Sequence, residues 1–309
     1  MARGTRPPRT VPLSVRGYLR QSPFTSPGSR RTLFDPLPGG TEALLKVVQG
    51  LLIHYRDTRL ASAHVPKRRF RDVDLRYVDR MLERVVELDP RPLSQPRPVD
   101  RRLIGCCRDF ATLFTSMARH KGIPTRTRVG FANYFASASS RYWIDHTIAE
   151  RWDGPRSGWR LVDPEQTPAL ARENHLDFDP TDVPSGKFIT GGRAWTMCRE
   201  EGVNPDIFCV EPGGQPRGLW FVRSRLVLDI AALNREELLL WDSWRATSPN
   251  ARLTAVELEG LDRIARVTRR TPPPTSKVAA LYRSGEWRHP SRVGCFSPVC
   301  PPYRELLRK

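Results

Sequence analysis

No stretch of eighteen or more apolar residues occurs anywhere in the chain, so no segment qualifies as a membrane-spanning helix. The N-terminus also lacks the apolar core of a secretory signal. Ser29-Arg30-Arg31-Thr32-Leu33-Phe34 superficially suggests a twin-arginine leader, but Asp35-Pro36-Leu37-Pro38-Gly39-Gly40 stands where the apolar segment should follow. A cytoplasmic location is the expectation, and with it six mostly reduced cysteines. Cys198, Cys209, Cys295 and Cys300 form no Cys-x-x-Cys pair, which argues against a zinc ribbon. Phosphate-binding glycine loops, dinucleotide fingerprints and internal repeats are missing too, so no cofactor is implied. The acidic stretch Asp177–Asp182, near His175, lacks metal-ligand spacing. Lysine is scarce, 6 residues against 45 arginines, which fits a GC-rich bacterial genome better than a functional demand.

What the chain does have is charge and tryptophan. The 309 residues carry a net +18, while 39% apolar content and eight tryptophans indicate a globular protein. Residues 1–40 hold +6 and residues 265–309 hold +8, leaving only +4 on the body between them. Each of these two ends has seven prolines. The pattern predicts a basic Pro-rich arm at 1–40 and a basic Pro-rich tail at 269–309, both read as solvated ends. Such ends could make weak contact with nucleic acid or an acidic partner.

Between them the periodicity predicts helices across Glu42 to Arg59 and, capped by Asp72, as far as Leu88, then a Pro90–Pro98 connector. His54, Tyr55 and His64, near the end of the first, read as ordinary polar positions. A helix starts near Cys107, with Phe110, Leu113, Phe114 and Met117 on its buried face, and Lys121-Gly122-Ile123-Pro124 stops it. Arg126 to Phe131 alternates like a strand. Ile144, His146, Ile148 and Glu150 share one face of a second, and Trp159, Leu161 and Asp163 one face of a third. Asp153–Gly158 is turn chemistry joining the last two into an antiparallel hairpin. Downstream, Glu165 to Arg172 reads as a short helix, Leu219 to Ile230 as strand, Asn234 to Trp244 as a capped helix and Thr254 to Val267 as an amphipathic helix.

A thiol, an imidazole and a carboxylate thus arrive in order at Cys107, His146 and Asp163. That set can supply a nucleophile, the base that deprotonates it and the acid that orients the base. Cysteine in a helix's first turn faces unpaired N–H groups and the positive end of the dipole, which favour thiolate.

The Gly105-Cys106-Cys107-Arg108-Asp109-Phe110-Ala111 opening, the Gly122-Ile123-Pro124 stop, the Asp145-His146 strand and the closing Trp159-Arg160-Leu161-Val162-Asp163-Pro164 resemble the transglutaminase-like core, a papain-like cysteine fold. The resemblance covers roughly residues 100 to 168. It implies an α+β fold with N-terminal helices, an active-site helix and an antiparallel sheet, followed by a C-terminal α+β extension. On this reading the core is 41–168 and the extension, packed on it, is 169–268. The resemblance implies Cys107 as nucleophile, His146 as general base and Asp163 as orienting acid. Ile148 departs from the tryptophan that many members carry at that position. Cys106 duplicates the thiol, and the family spacing to Phe110 and Ala111 selects Cys107.

The expected activity is cleavage or transfer at an amide or thioester through an acyl-enzyme, in a peptide, a protein or a small metabolite. Cys107 N–H and one of Tyr77, Gln95 or Arg101 would hold the oxyanion. The alternative is a catalytically silent transglutaminase-like binding module or a basic nucleic-acid-associated scaffold.

Overall fold

The computed structural model describes residues 11–135, 141–269, 272–283, 285 and 287–308. Arg3, Arg6, Arg9, Arg270, Glu286 and Lys309, counted in the terminal charge, lie outside these residues.

Helix α1 (Thr41–Leu51) buries Leu44, Val47, Val48 and Leu51, the stripe its periodicity predicts. It does not continue to Arg59. The chain passes instead into β1 (Leu52–His54), because Leu52 and Ile53 pair with a partner some fifty residues away. A continuous apolar run does not by itself distinguish helix from strand, and here the long-range partner decides. Asp72 does not cap the second helix either. Its carboxylate receives Arg69 at 3.0 Å and Arg84 at 3.1 Å, and α2 (Val78–Leu88) begins later. Strand β2 (Leu103–Gly105) lies parallel to β1, with Leu52 opposite Leu103 and His54 opposite Gly105. It delivers the chain directly into α3 (Cys107–His120).

Helix α3 is buried almost throughout and packs against α1, α2 and the main sheet. Its first turn is closed by Asp109, whose Oδ2 accepts the Cys106 N–H at 2.8 Å. Gly122, at φ +75°, ends it in the left-handed region that glycine tolerates.

The main sheet contains β3 (Thr125–Ala132), β4 (Trp143–Trp152), β5 (Trp159–Val162), β6 (Phe188–Thr190) and β7 (Phe208–Cys209). Its order is β5-β4-β3-β6, and β7 runs parallel to the start of β4. The expected hairpin is present: β4 and β5 pair antiparallel, with Trp152 opposite Trp159 and Ala149 opposite Val162. A short helix, α4 (Pro168–Glu173), follows β5, and α5 (Gly191–Glu200) follows β6. At Gly130 a Cβ would stand 2.0 Å from the Ile189 carbonyl oxygen, so only glycine lets β3 and β6 meet there.

Helix α6 (Leu219–Leu233) occupies the stretch that reads as strand in the sequence. From Phe221 onward it is buried on every side, and an all-round apolar helix carries no amphipathic period to betray it. The expected helix over Asn234–Trp244 is also absent; that segment is loop ending in β8 (Asp242–Ser243). Helix α7 (Ala255–Thr268) matches the amphipathic prediction and is capped by Thr254 with Glu257. After it come α8 (Thr275–Arg283), β9 (Arg292–Cys295) and β10 (Tyr303–Leu306), the last two completing a β10-β9-β8 sheet.

One apolar cluster joins α5, α6, α7 and α8 to β3, and a second lies among α1, α2 and α3 against Ala149 and Val162. Described residues of both end segments, 11–40 and 272–308, contribute to this interior rather than forming solvated ends. Val15, Tyr18, Phe24, Phe34 and Leu37 are buried at one end, and Val278, Tyr282, Trp287, Val293 and Leu307 at the other. The Tyr18 hydroxyl donates to the Leu233 carbonyl at 2.8 Å, and the Ser22 hydroxyl to Glu237 at 2.6 Å.

The arginine excess has structural work as well. Arg126 and Arg128 on β3 share Glu150 on β4 at 2.7 and 3.3 Å, and Arg128 also forks onto Asp229 of α6. Arg108 bonds the Asp109 carboxylate and the backbone carbonyls of Arg76 and Glu237. These groups are buried, where a planar five-donor fork outperforms a lysine.

Candidate active site

Cys107 is the first residue of α3, held at the site by the β1–β2 pair on one side and by the sheet on the other. His146 lies on β4 and Asp163 immediately follows β5. Continuing the β4–β5 register past its last pair would set residue 146 opposite residue 165 and 148 opposite 163. Asp163 and Glu165 are therefore on the same face of the hairpin as His146.

The structure brings the three expected residues together. His146 Nε2 is 2.8 Å from Asp163 Oδ2, and the Cys107 sulfur lies within 4.8 Å of a nitrogen of the same ring. With Nε2 engaged by the carboxylate, Nδ1 is the nitrogen left for the thiol. Asp163 is saturated by donors, since Oδ2 also accepts the Tyr134 hydroxyl at 2.6 Å and Oδ1 the Glu165 N–H at 3.0 Å. All three catalytic candidates are almost fully buried.

The electrostatics favour a thiolate–imidazolium pair. The Cys107 thiol is brought down to about 5, first by a hydrogen bond from Cys106 and then by His146, against the opposing effect of burial. Burial disfavours charge on His146, but Asp163 and the Cys107 thiolate outweigh it and hold the ring well above its usual range. Burial likewise opposes charge on Asp163, and His146 with the Tyr134 hydroxyl keeps it ionised. Cys106 is pushed well above an ordinary thiol, chiefly by burial, and so remains an S–H donor. It is not a bystander beside the nucleophile. Arg108, by contrast, is fully engaged by backbone carbonyls and Asp109.

Four neighbours escaped the sequence reading. Tyr134 anchors the acid. Glu165 lies 3.9 Å from His146 Nδ1, and its carboxyl is held neutral by burial, with the Cys107 and Asp163 charges adding to that effect. His54 Nε2 sits 3.9 Å from the other Glu165 oxygen, and burial lowers this imidazole to about 3, leaving it uncharged. Tyr55 is carried beside the nucleophile because its N–H bonds the Gly105 carbonyl at 2.8 Å. The parallel β1–β2 pairing places both His54 and Tyr55, and nothing within residues 52–55 announces it. A Glu two residues beyond a hairpin Asp was the one available signal.

Cys107, His146 and Glu165 open into a cavity of about 1000 Å³. Tyr55 and Phe135 line it from the core, Trp220 and Trp241 from the C-terminal extension, and Phe296 from the tail. The expected oxyanion donors do not reach it. The Tyr77 hydroxyl accepts the Arg308 N–H at 2.8 Å, Arg101 pairs with Asp100, and Gln95 is exposed on a loop. Ile148, where other members carry tryptophan, is buried beside Tyr134 and Phe188. Away from the site, Asp177 and Asp182 are paired with Lys187 and Arg160, and His64 is exposed.

Comparison with known proteins agrees with this geometry. Residues 76–164 match the model of the transglutaminase-like superfamily. That segment is similar to the transglutaminase-like superfamily, and it sits within the α+β fold described above. No curated protein matches the chain. A solved structure from Cytophaga hutchinsonii, described as a candidate cysteine protease, is similar at 14% identity and a TM-score of 0.36. The similarity covers 59% of this chain and 47% of that one, so this chain spans about half of that protein's length. Among the described residues no helix is long and apolar enough to cross a membrane. The expected contact with nucleic acid finds no support in the comparisons or in the packed ends of the chain.

Proposed function

We propose that the protein is a cysteine hydrolase or acyl transferase acting on an amide or thioester of a peptide, protein or small metabolite. The observation that carries this is the convergence of the Cys107 sulfur, within 4.8 Å of a His146 ring nitrogen, with the His146 Nε2–Asp163 Oδ2 contact at 2.8 Å. The Cys107 thiolate attacks the carbonyl carbon, forming the C–S bond and a tetrahedral oxyanion. Collapse breaks the bond to the leaving group, which takes the proton from His146. The neutral imidazole then draws a proton from water or an amine, which attacks the thioester and releases Cys107 as thiolate, with the proton back on His146. Asp163 keeps Nε2–H in place through both steps.

The oxyanion faces the N–H of Cys107 at the start of α3 and the hydroxyl of Tyr55 from the adjacent β1 end. Tyr55 lines the cavity, and its ionisation is pushed up to about 12 by burial, so it remains a donor.

Exposure of the intact protein to thioester and activated-amide donors, followed by mass spectrometry, tests the reading. An acyl adduct on wild type that is lost in Cys107→Ala is the expected result. Equal iodoacetamide labelling of wild type and Cys107→Ala would remove Cys107 from its role.

A further inference from the structure

The site holds one polar group that the acyl-transfer scheme does not use. Glu165 is buried, follows the catalytic Asp163 by two residues, and points at the reacting pair, 3.9 Å from His146 Nδ1. The Cys107 sulfur, a ring nitrogen of His146 and a Glu165 carboxyl oxygen all lie within 4.8 Å of one another. Among the described residues this is the group of His, Cys, Asp and Glu side chains that converges closely enough to hold a metal ion.

We propose that Cys107, His146 and Glu165 form a binding site for a zinc-type divalent cation, whose occupancy reversibly masks the nucleophile. As a switch it rests on the proposed cysteine chemistry; as a binding site it rests on geometry alone. One sulfur, one imidazole nitrogen and one carboxylate oxygen is a donor set suited to zinc, and it is unsuited to calcium or magnesium, which prefer oxygen. Tetrahedral zinc needs its donors somewhat closer together than 4.8 Å, a contraction that side-chain rotation supplies.

The outer contacts are already those of a metal centre. His146 offers Nδ1 toward the site because Nε2 is engaged by Asp163 at 2.8 Å, the carboxylate–histidine arrangement that orients metal-binding imidazoles. Glu165 has its own orienting neighbour. The His54 Nδ1 accepts the Arg56 N–H at 3.2 Å, so in the neutral ring the proton sits on Nε2, which faces Glu165 Oε1 at 3.9 Å. The fourth position of the tetrahedron opens into the cavity, where water or a substrate atom would complete it. This departs from the sequence reading, which found no metal ligands, because Glu165 joins the other two only through the hairpin fold.

The test uses the full chain, stripped with a chelator and titrated with Zn²⁺ against a chromophoric competitor. One equivalent should bind, and bound Zn²⁺ should protect Cys107 from iodoacetamide until chelator restores labelling. Ca²⁺ and Mg²⁺ should do neither. Glu165→Gln and Cys107→Ser should each weaken Zn²⁺ binding on the order of tenfold or more. Co²⁺ should give a thiolate-to-metal charge-transfer band in wild type and Glu165→Gln, absent from Cys107→Ser. Circular dichroism verifies that each variant folds, and if one does not, protection of wild-type Cys107 by Zn²⁺ decides. Unimpeded labelling at saturating Zn²⁺, or a folded Glu165→Gln that binds Zn²⁺ as tightly as wild type, overturns the site. Acyl-adduct formation by the metal-free protein is read separately. Adducts without zinc binding would sink this proposal and spare the enzyme; zinc binding without adducts would do the reverse.

Discussion

At the scale of single residues, Asp163 is the centre of the arrangement, with three donors converging on its two oxygens. Asp163→Asn keeps the shape but removes the charge that fixes the His146 tautomer. A loss of about ten-thousand-fold in turnover is expected, read from steady-state kinetics with little change in folding. The pH dependence follows from the paired shifts. In chelator-treated protein the Cys107 thiolate should persist down to a midpoint of about 5 rather than the ordinary thiol value of 9.0, because protonation must break its bonds to Cys106 and His146. Iodoacetamide reactivity should therefore rise through about pH 5 and stay high above it, whereas acyl transfer should fall again where the raised His146 loses the proton that the leaving group needs. Cys106→Ala removes the first of those bonds, so its acid limb should move to higher pH while activity survives. An unchanged limb in that variant would mean that Cys106 only fills space. Cys107, His146 and Asp163, proposed as nucleophile, base and acid, stand out in the sequence because each sits in a strong local pattern: a helix start, an alternating strand and a Trp-x-x-x-Asp-Pro close. Glu165, Tyr134 and His54 do not, because their contacts are with partners 19, 29 and 111 residues away, respectively.

Elements set the precision of that site. Helix α3 begins where it does because Asp109 accepts the Cys106 N–H, and the same carboxylate pairs with buried Arg108 at 3.0 Å. Asp109→Ala leaves that guanidinium without its counter-charge, and a loss of about 3–5 kcal/mol is expected in denaturant unfolding. Gly130 is a second pressure point. Its replacement by alanine drives a methyl into the Ile189 carbonyl and should lower stability by about 1–3 kcal/mol, measured by the same transition. Strand alternation made β3, β4 and β5 readable, since each has one dominant period. Helix α6 failed the same test for a physical reason. Phe221 to Leu233 is buried on all sides, with Arg225 and Asp229 neutralised by Asp145 and Arg128, so its pattern has no polar face to count.

For the whole molecule, the terminal charge proved to be a poor guide to location. Apolar residues among the described arginines of both end segments are buried in the interior, and composition alone registers the arginines. Deleting the β9–β10 hairpin, residues 290–309, strips β8 of its partner and takes the buried side chains of Val293, Cys295 and Leu307 out of the interior. A lower melting temperature and aggregation on heating are the expected outcome, followed by calorimetry and light scattering.

The parallel pairing of β1 with β2 has one more result. It places His54 and Tyr55 upstream of the 76–164 segment by which the superfamily is detected, while Trp220 and Trp241 come from downstream of it. An excised piece cut at those homology limits would hold all three triad positions and lack most of the chamber they face. Boundaries drawn by ancestry and boundaries drawn by the working site do not coincide in this chain, and cloning strategies should follow the latter.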